Sequence, residues 1–369
     1  MECKRCVLDE SAKDIRFDEN GVCNYCTDYL DKRDSILQNF EALFSLVSRI
    51  RTPNASYDCI VGVSGGLDSS FLLYKAKELG LRPLAVHIDT GWNSAISVSN
   101  IETITAKLQV DLHTFVLDWP QFRKMQVAYL RAGVLDLEFP TDHYYLSALY
   151  KVAADKGIRF ILTGNNYTSE GIMPDCWIHN KGDTRNMLDI YRKYGNTSPP
   201  DKLPTLTLFK RFYYYNIRKT ENIFLLNYLP YNREDAKQTL INTFGWKEYP
   251  VKHGESVFTR FYHRYILPKR FGVDIRRAHL SSLICNAQLS RNEALELLKT
   301  ESIDAELLQS DKEYVLKKLG LTLTEFEELM AAPVRSHFDF RSEIPIKRAY
   351  NTFIKKLRLQ SFLKISNRH

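Results

Sequence analysis

Chemistry in this chain begins at Ser64-Gly65-Gly66-Leu67-Asp68-Ser69-Ser70. An apolar run from Cys59 to Val63 stops at the two glycines, and a helix-like pattern starts at Asp68. A strand ending in a glycine turn at a helix N-terminus presents backbone N–H donors at the positive end of the helix dipole. Such a nest binds phosphate. Glycines let the backbone approach an anion that a Cβ would hold away. Ser64, Ser69 and Ser70 add hydroxyl donors, and Asp68 can cap the helix or help hold a metal. A Walker A loop would need Gly-x-x-x-x-Gly-Lys-Ser/Thr, which this is not. The bland alternative is a plain Ser/Gly turn between strand and helix.

A second centre lies at the start. Cys3-x-x-Cys6 is followed by Cys23-x-x-Cys26, with Gly21 just before the second pair. Two such pairs suit four thiolates converging on zinc, and a closed shell of four cysteines leaves no position for water, so the site is expected to be structural. A [4Fe–4S] cluster takes the same four thiolates. Two disulfides would need an oxidising compartment, but Met-Glu-Cys-Lys-Arg-Cys has no apolar signal region, and a cytoplasmic protein is expected. Of the remaining cysteines, Cys59 and Cys285 sit in apolar stretches and read as core. Cys176, in Met-Pro-Asp-Cys-Trp, has a crevice-facing alternative but reads first as a packing residue.

Alternating elements must position these groups. Phe71 to Leu79 has apolar residues at helical spacing and ends at Gly80. Leu84 to Asp89 reads as a buried parallel strand, Ser97 to Leu108 as a helix and Leu112 to Leu117 as a strand. Residues 141–156 read as a helix ending at Gly157, and Ile158 to Leu162 as another strand. This order predicts an α/β fold with a doubly wound parallel sheet, whose ligands bind at the carboxyl ends of strands. Ser64-Gly65-Gly66, His87 to Asp89 and Thr163-Gly164-Asn165 are therefore expected to face one crevice.

The chain has 369 residues, is 44% hydrophobic and carries a net charge of +7. It can bury a large core in two or three units. No apolar run approaches the roughly 18 residues a bilayer span requires. The charge suits an anionic small substrate without demanding nucleic acid. Four stretches follow: a ribbon-like segment 1–30, a nucleotide core 31–170, a substrate or lid segment 171–250 and a helical region 251–369. The aromatic stretch from Phe212 to Tyr215 reads as a core face. Ser290 with Glu293 reads as a capping box, and the last twenty residues as a basic solvated face. From Lys252 to His279 ionisable residues are dense, including His253, Glu255, His263, Arg276 and Arg277, and aromatic residues are interleaved among them.

Ser-Gly-Gly-x-Asp-Ser in this setting resembles the pyrophosphate (PP) loop of ATP pyrophosphatases. Nearly the whole chain resembles the N-acetyl sugar amidotransferase family of bacterial surface-polysaccharide (LPS, O-antigen) and flagellin-sugar biosynthesis. The resemblance rests on Cys3-x-x-Cys6-Val7-Leu8-Asp9, Gly21-Val22-Cys23-x-Tyr25-Cys26, Asp89-Thr90-Gly91-Trp92-Asn93-Ser94 and Lys252-His253-x-Glu255-Ser256-x-Phe258-Thr259. Arg277-Ala278-His279-Leu280-Ser281-Ser282 also fits. One departure is Cys285-Asn286-Ala287-Gln288, where a glycine is expected before the glutamine.

The resemblance implies an adenine nucleotide α-hydrolase-like PP-loop fold with ATP, Mg2+ and structural Zn2+. It also implies a reaction in which AMP is transferred to an acetamido carbonyl oxygen and ammonia then replaces that oxygen, leaving an acetamidino group. Ser64, Gly65, Gly66, Asp68 and Ser69 would hold phosphates and metal, with His87, Asp89, Thr163, Gly164 and Asn165 around the nucleotide. Asp68, Lys252 and Glu255 would be catalytic, Glu255 as general base. Trp92, Asn93, Arg276, Arg277 and His279 would meet a nucleotide-linked N-acetyl sugar. Residue 2 is Glu2, and Cys3 belongs to the tetrad, so no class II glutaminase nucleophile is apparent. A separate glutaminase and a cyclase-like subunit, related to a histidine-pathway pair, are the expected ammonia source. The runner-up is a PP-loop tRNA-thiolating enzyme, and a third reading is a zinc-ribbon module that binds nucleotide without turnover.

Overall fold

The structure, a computed structural model, describes residues 1–37, 40–195, 200–300 and 303–345. The basic last twenty residues lie outside them. Five parallel strands form one sheet in the order β3-β2-β1-β4-β5: β1 (Cys59–Gly62), β2 (Pro83–Asp89), β3 (Leu112–Val116), β4 (Phe160–Leu162) and β5 (Glu221–Ile223). Helices α1 (Asn24–Ile36) and α2 (Phe40–Ile50) precede the sheet. Then α3 (Leu67–Glu78), α4 (Ala95–Leu108), α5 (Trp119–Ala132) and α6 (Phe139–Lys156) alternate with its strands. After β4 come α7 (Tyr167–Glu170), α8 (Thr184–Tyr194), α9 (Leu208–Phe212) and α10 (Arg233–Phe244).

Alternation along the strands divides the core. Cys59, Val61 and Val63 point to one face, against Leu72 and Ala76 of α3, Ile101 and Ile104 of α4 and Leu240 of α10. Ile60, Val86 and Ile88 point to the other, against Phe122 and Met125 of α5 and Tyr144 and Ala148 of α6. Burial on both faces is why these strands read as near-continuous apolar runs. The expected doubly wound sheet is present, and its order reverses between β1 and β4, which opens a crevice at their carboxyl ends.

Residues 171–250, expected as a substrate or lid segment, also contribute β5, which pairs with β4, and α10, which packs on the α3 face. The aromatic stretch is only partly core. Tyr214 and Tyr215 lie 5.5 and 5.4 Å from the Tyr150 ring. Phe209, Phe212, Tyr213 and Ile217 are exposed.

The C-terminal part is helical as expected, with α11 (Val257–Phe261), α12 (Arg276–Cys285), α13 (Arg291–Thr300), α14 (Ala305–Leu319) and α15 (Leu323–Ala331). A π-helix, Tyr262–Phe271, joins α11 to the turn before α12. The buried Arg260 guanidinium meets both oxygens of Asp311 at 2.6 and 2.7 Å, fixing α11 on α14. Ser290 and Glu293 form the expected capping box. No helix among the described residues is long and apolar enough to cross a membrane.

The turn after α12 explains the missing glycine. Ala287 has φ +56°, a left-handed conformation that strains any residue with a Cβ. Gln288, next to it, accepts from Arg233 N at 3.1 Å and donates to Tyr231 O at 2.7 Å, so the strained turn holds the segment before α10. Ala287→Gly should stabilise the protein by about 0.5–1 kcal/mol, the relief of strain exceeding the extra unfolded-state entropy of glycine. Denaturant unfolding checks this, and a lower midpoint for the variant would contradict it.

Candidate active-site crevice

β1 leads through Val63 into the Ser64–Gly66 turn, and α3 starts at Leu67 with Gly66 as its N-cap and no side-chain cap. Its first amides therefore remain available to a ligand. Within the turn, Ser64 Oγ accepts from Gly66 N at 3.2 Å and lies 3.1 Å from Ser69 Oγ. Asp68 does not cap the helix. It is the second helical residue, and its carboxylate accepts a short hydrogen bond from the Tyr231 hydroxyl. Burial, and next the charge of Glu170, push the Asp68 carboxyl above its ordinary value.

The glycines serve different ends. Gly65 has φ +79°, and a Cβ there would lie 2.5 Å from Ser97 O in α4. Its carbonyl accepts from Trp246 Nε1 at 3.0 Å and Tyr249 OH at 2.9 Å. Packing against α4 thus requires this glycine as much as phosphate access does. A Cβ on Gly66 would lie 2.8 Å from Glu255 Oε1, and one on Gly164 would lie 2.8 Å from Ser69 N. The loop after β4 therefore closes directly onto the start of α3, and Glu255 borders the turn.

Around this nest the other strand ends take their expected places. His87 is buried, with Nδ1 3.0 Å from Val63 O and Nε2 2.9 Å from Asn93 Nδ2. The carbonyl accepts only from a protonated Nδ1, which fixes the tautomer and leaves Nε2 to accept from Asn93. Asn93 also donates to Asp89 at 3.0 Å. Thr163 Oγ1 is 3.2 Å from Asn222 Oδ1 of β5, and Asn165 is exposed.

The far wall comes from the stretch dense in ionisable residues. Lys252 Nζ lies 3.3 Å from Glu170 Oε1, and His253 Nδ1 lies 3.9 Å from Glu255 Oε1. His253 has φ +62°, a strained backbone of the kind that collects at functional sites. Its ring centroid is 5.1 Å from that of His279 and 5.5 Å from that of His263. Burial, then the neighbouring cations and imidazoles, holds His263 and His279 well below the usual imidazole range, so both are neutral. Burial raises the Glu255 pKa, but the opposing effects of His253, its own backbone N–H and Lys252 prevail and leave it lowered. Glu255 is thus a carboxylate at neutral pH. Glu170, Tyr231 and Arg233 belong to this crevice although no sequence motif marked them. The available signals were Asn166, which caps α7, and Asn232, which caps α10 and so places Tyr231 and Arg233 at a helix start.

Three expected substrate contacts lie elsewhere. Trp92 is core: only 1% exposed, it donates to Gln126 Oε1 at 2.8 Å and packs against Trp119 and Phe258. Arg276 is bonded to Asp274 and to the carbonyls of Leu297 and Leu298. Arg277 meets Glu2 at 2.9 Å, Asp9 at 3.1 Å and Val7 O at 2.6 Å. These arginines hold the cysteine segment and the C-terminal end of α13, not an anion in the crevice.

The four cysteines are fully buried. Their sulfurs are 3.6 Å (Cys23–Cys26), 3.7 Å (Cys6–Cys23) and 4.0 Å (Cys3–Cys26) apart. A zinc tetrahedron with Zn–S of about 2.3 Å implies S–S near 3.8 Å, so the donor set fits. When bound, zinc would supply structural cross-linking. Cys285 is buried as expected, but against the tetrad, with its sulfur 3.6 Å from that of Cys26. Helix α12 therefore carries Arg277 and Cys285 on the cysteine segment and His279 in the crevice. Cys23→Ser, or exhaustive chelation, should lower both the melting temperature and the zinc content. Iron in place of zinc in anaerobically purified protein would contradict the zinc assignment.

Residues 255–358 match the family model described as LPS biosynthesis protein WbpG-like, C-terminal domain. No curated protein sequence matches the chain. Among solved structures, an NH3-dependent NAD synthetase from Campylobacter jejuni subsp. jejuni aligns at 11% identity and TM-score 0.31, over 84% of this chain and 98% of its own. An NMN synthetase from Francisella tularensis aligns at 14% identity and TM-score 0.32, over 81% and 97%. The helical region that supplies Glu255, His263 and His279 to the crevice is thus similar to the WbpG-like C-terminal domain of LPS biosynthesis proteins.

Proposed function

We propose that this protein is an ATP-dependent amidotransferase that converts the acetamido group of a nucleotide-linked N-acetyl sugar to an acetamidino group. The observation that carries the reading is the meeting of a phosphate nest at Ser64–Gly66 with Lys252, His253, Glu255 and His279. Of these, Glu255 and His279 lie in the segment that resembles a C-terminal domain of LPS biosynthesis proteins.

An acetamido carbonyl is a poor electrophile with a poor leaving group, which AMP transfer remedies. The carbonyl oxygen attacks the α-phosphorus of ATP, and the P–O bond to pyrophosphate breaks. Ammonia then adds to the imidate carbon, the C–O bond breaks, and AMP departs with the former carbonyl oxygen. The nitrogen sheds a proton as the C=N bond forms. In this scheme the amide of Gly65, the first amides of α3 and the Ser69 hydroxyl hold the departing pyrophosphate. Mg2+ carried with ATP would be held by Asp68 and would offset phosphate charge. Asp89, Thr163, Gly164 and Asn165 border the adenosine. With Arg276 and Arg277 engaged elsewhere, Lys252 and Arg233 supply positive charge, while Asn93 and His279 remain candidates for the sugar side. Glu255 takes the ammonia proton. Ammonia comes from a separate glutaminase with a cyclase-like partner.

At high pH with ammonium, the isolated protein should yield AMP and pyrophosphate with a sugar product about one dalton lighter. With glutamine alone it should be nearly silent. Glu255→Gln should lower kcat on the order of 100-fold while KM changes little. Phosphorus NMR and mass spectrometry read these outcomes. ADP with orthophosphate, or efficient tRNA thiolation without a sugar product, would overturn the proposal.

A further inference from the structure

We infer that Glu170, His253 and His279 form a second divalent-metal site, separate from the cysteine tetrad and facing the phosphate nest. One donor atom from each lies within 4.8 Å of the others, close enough for a single ion to engage all three. They come from three separate pieces of chain: the end of α7, the turn before α11 and the middle of α12. Their convergence is therefore a product of the tertiary fold. His279 is only 9% exposed, yet neither ring nitrogen meets a hydrogen-bond partner among the described residues. Those nitrogens are therefore open to a ligand from the crevice.

The donor set indicates the class of ion. Two imidazoles and one carboxylate suit borderline first-row ions such as Zn2+, Co2+ or Fe2+ better than Mg2+, which favours all-oxygen shells. Three protein donors leave coordination positions for water or for an oxygen of a bound anion. The surroundings hold carboxylates, with Asp68 sensing the Glu170 charge and Glu255 beside His253, together with Lys252 and Arg233, whose charges act on His279. Lys252 sits against Glu170 with no hydrogen bond to its Nζ among the described residues. An ion taking the Glu170 oxygen would release that ammonium toward the phosphate nest. The strained backbone of His253 is the local conformation that turns this imidazole toward His279.

The test uses the full chain with its tetrad already loaded with zinc, titrated with Co2+ in the absence of ATP and sugar. Its outcome is therefore independent of the proposed reaction. Wild type should take up one further equivalent, with d–d absorption but no thiolate-to-cobalt charge-transfer band. Glu170→Gln and His279→Gln should each weaken that uptake at least tenfold, while tetrad zinc and the circular dichroism spectrum stay unchanged. Glu170 is partly exposed, so its variant is not expected to disturb folding. No cobalt uptake beyond the tetrad in wild type, or wild-type affinity in the correctly folded Glu170→Gln protein, would overturn the inference.

Discussion

Helix α12 is pinned on two faces, and the rest of the crevice depends on that. Toward the cysteine segment, Arg277 bridges Glu2 and Asp9, Ser281 accepts from Val7 N at 3.3 Å, and Cys285 rests on Cys26. Toward the sheet, Ser282 accepts from Ile172 N at 2.9 Å, and His279 turns into the crevice. Arg291 of α13 closes the arrangement by donating to the carbonyls of Cys3 and Cys6. The cysteine segment is therefore a buttress that sets where a crevice histidine stands. A metal bound in the tetrad would act on the crevice through a helix of ten residues, without touching any ligand.

Charge balance governs what the crevice can accept. Asp68, Glu170 and Glu255 all border a nest suited to phosphate, and like charges about 4 Å apart repel by about 4 kcal/mol at an effective dielectric near 20. A triphosphate therefore needs cations to enter. Lys252 already offsets Glu170, and Arg233 acts on Asp68. The neutral state of His263 and His279 keeps those imidazoles from adding charge of their own. This explains why the crevice combines carboxylates with a lysine and metal-capable imidazoles, and why it does so without Arg276 or Arg277.

Much of the fold was legible because its signals are local. Four strands and the glycine turn announce themselves through apolar runs and their punctuation. β5 does not, because Glu-Asn-Ile is three residues long and gains its place only by pairing with β4. The site was legible where residues cluster in sequence, as in the Ser64–Ser69 turn and the Lys252–Glu255 run. It failed for Arg276 and Arg277, because a basic pair on a helix reads the same whether it faces a ligand or Glu2 and Asp274. Trp92 sits inside a family motif, yet its ring packs in the core, since motif membership does not say which way a side chain points. Glu170 and Tyr231 gained meaning only once α7 and α10 were brought to the start of α3. Gly65 was rightly singled out, but its steric constraint proved to be the backbone of Ser97.

The central claim is that the acetamido oxygen itself becomes bonded to the phosphorus of AMP. The most direct measurement starts from a nucleotide sugar carrying oxygen-18 in its acetamido carbonyl and follows the label in the products by mass spectrometry. The account predicts that the heavy oxygen appears in AMP, one atom per turnover, with none in pyrophosphate and none left on the sugar product. Label retained on the sugar, or found in pyrophosphate or orthophosphate, would contradict it.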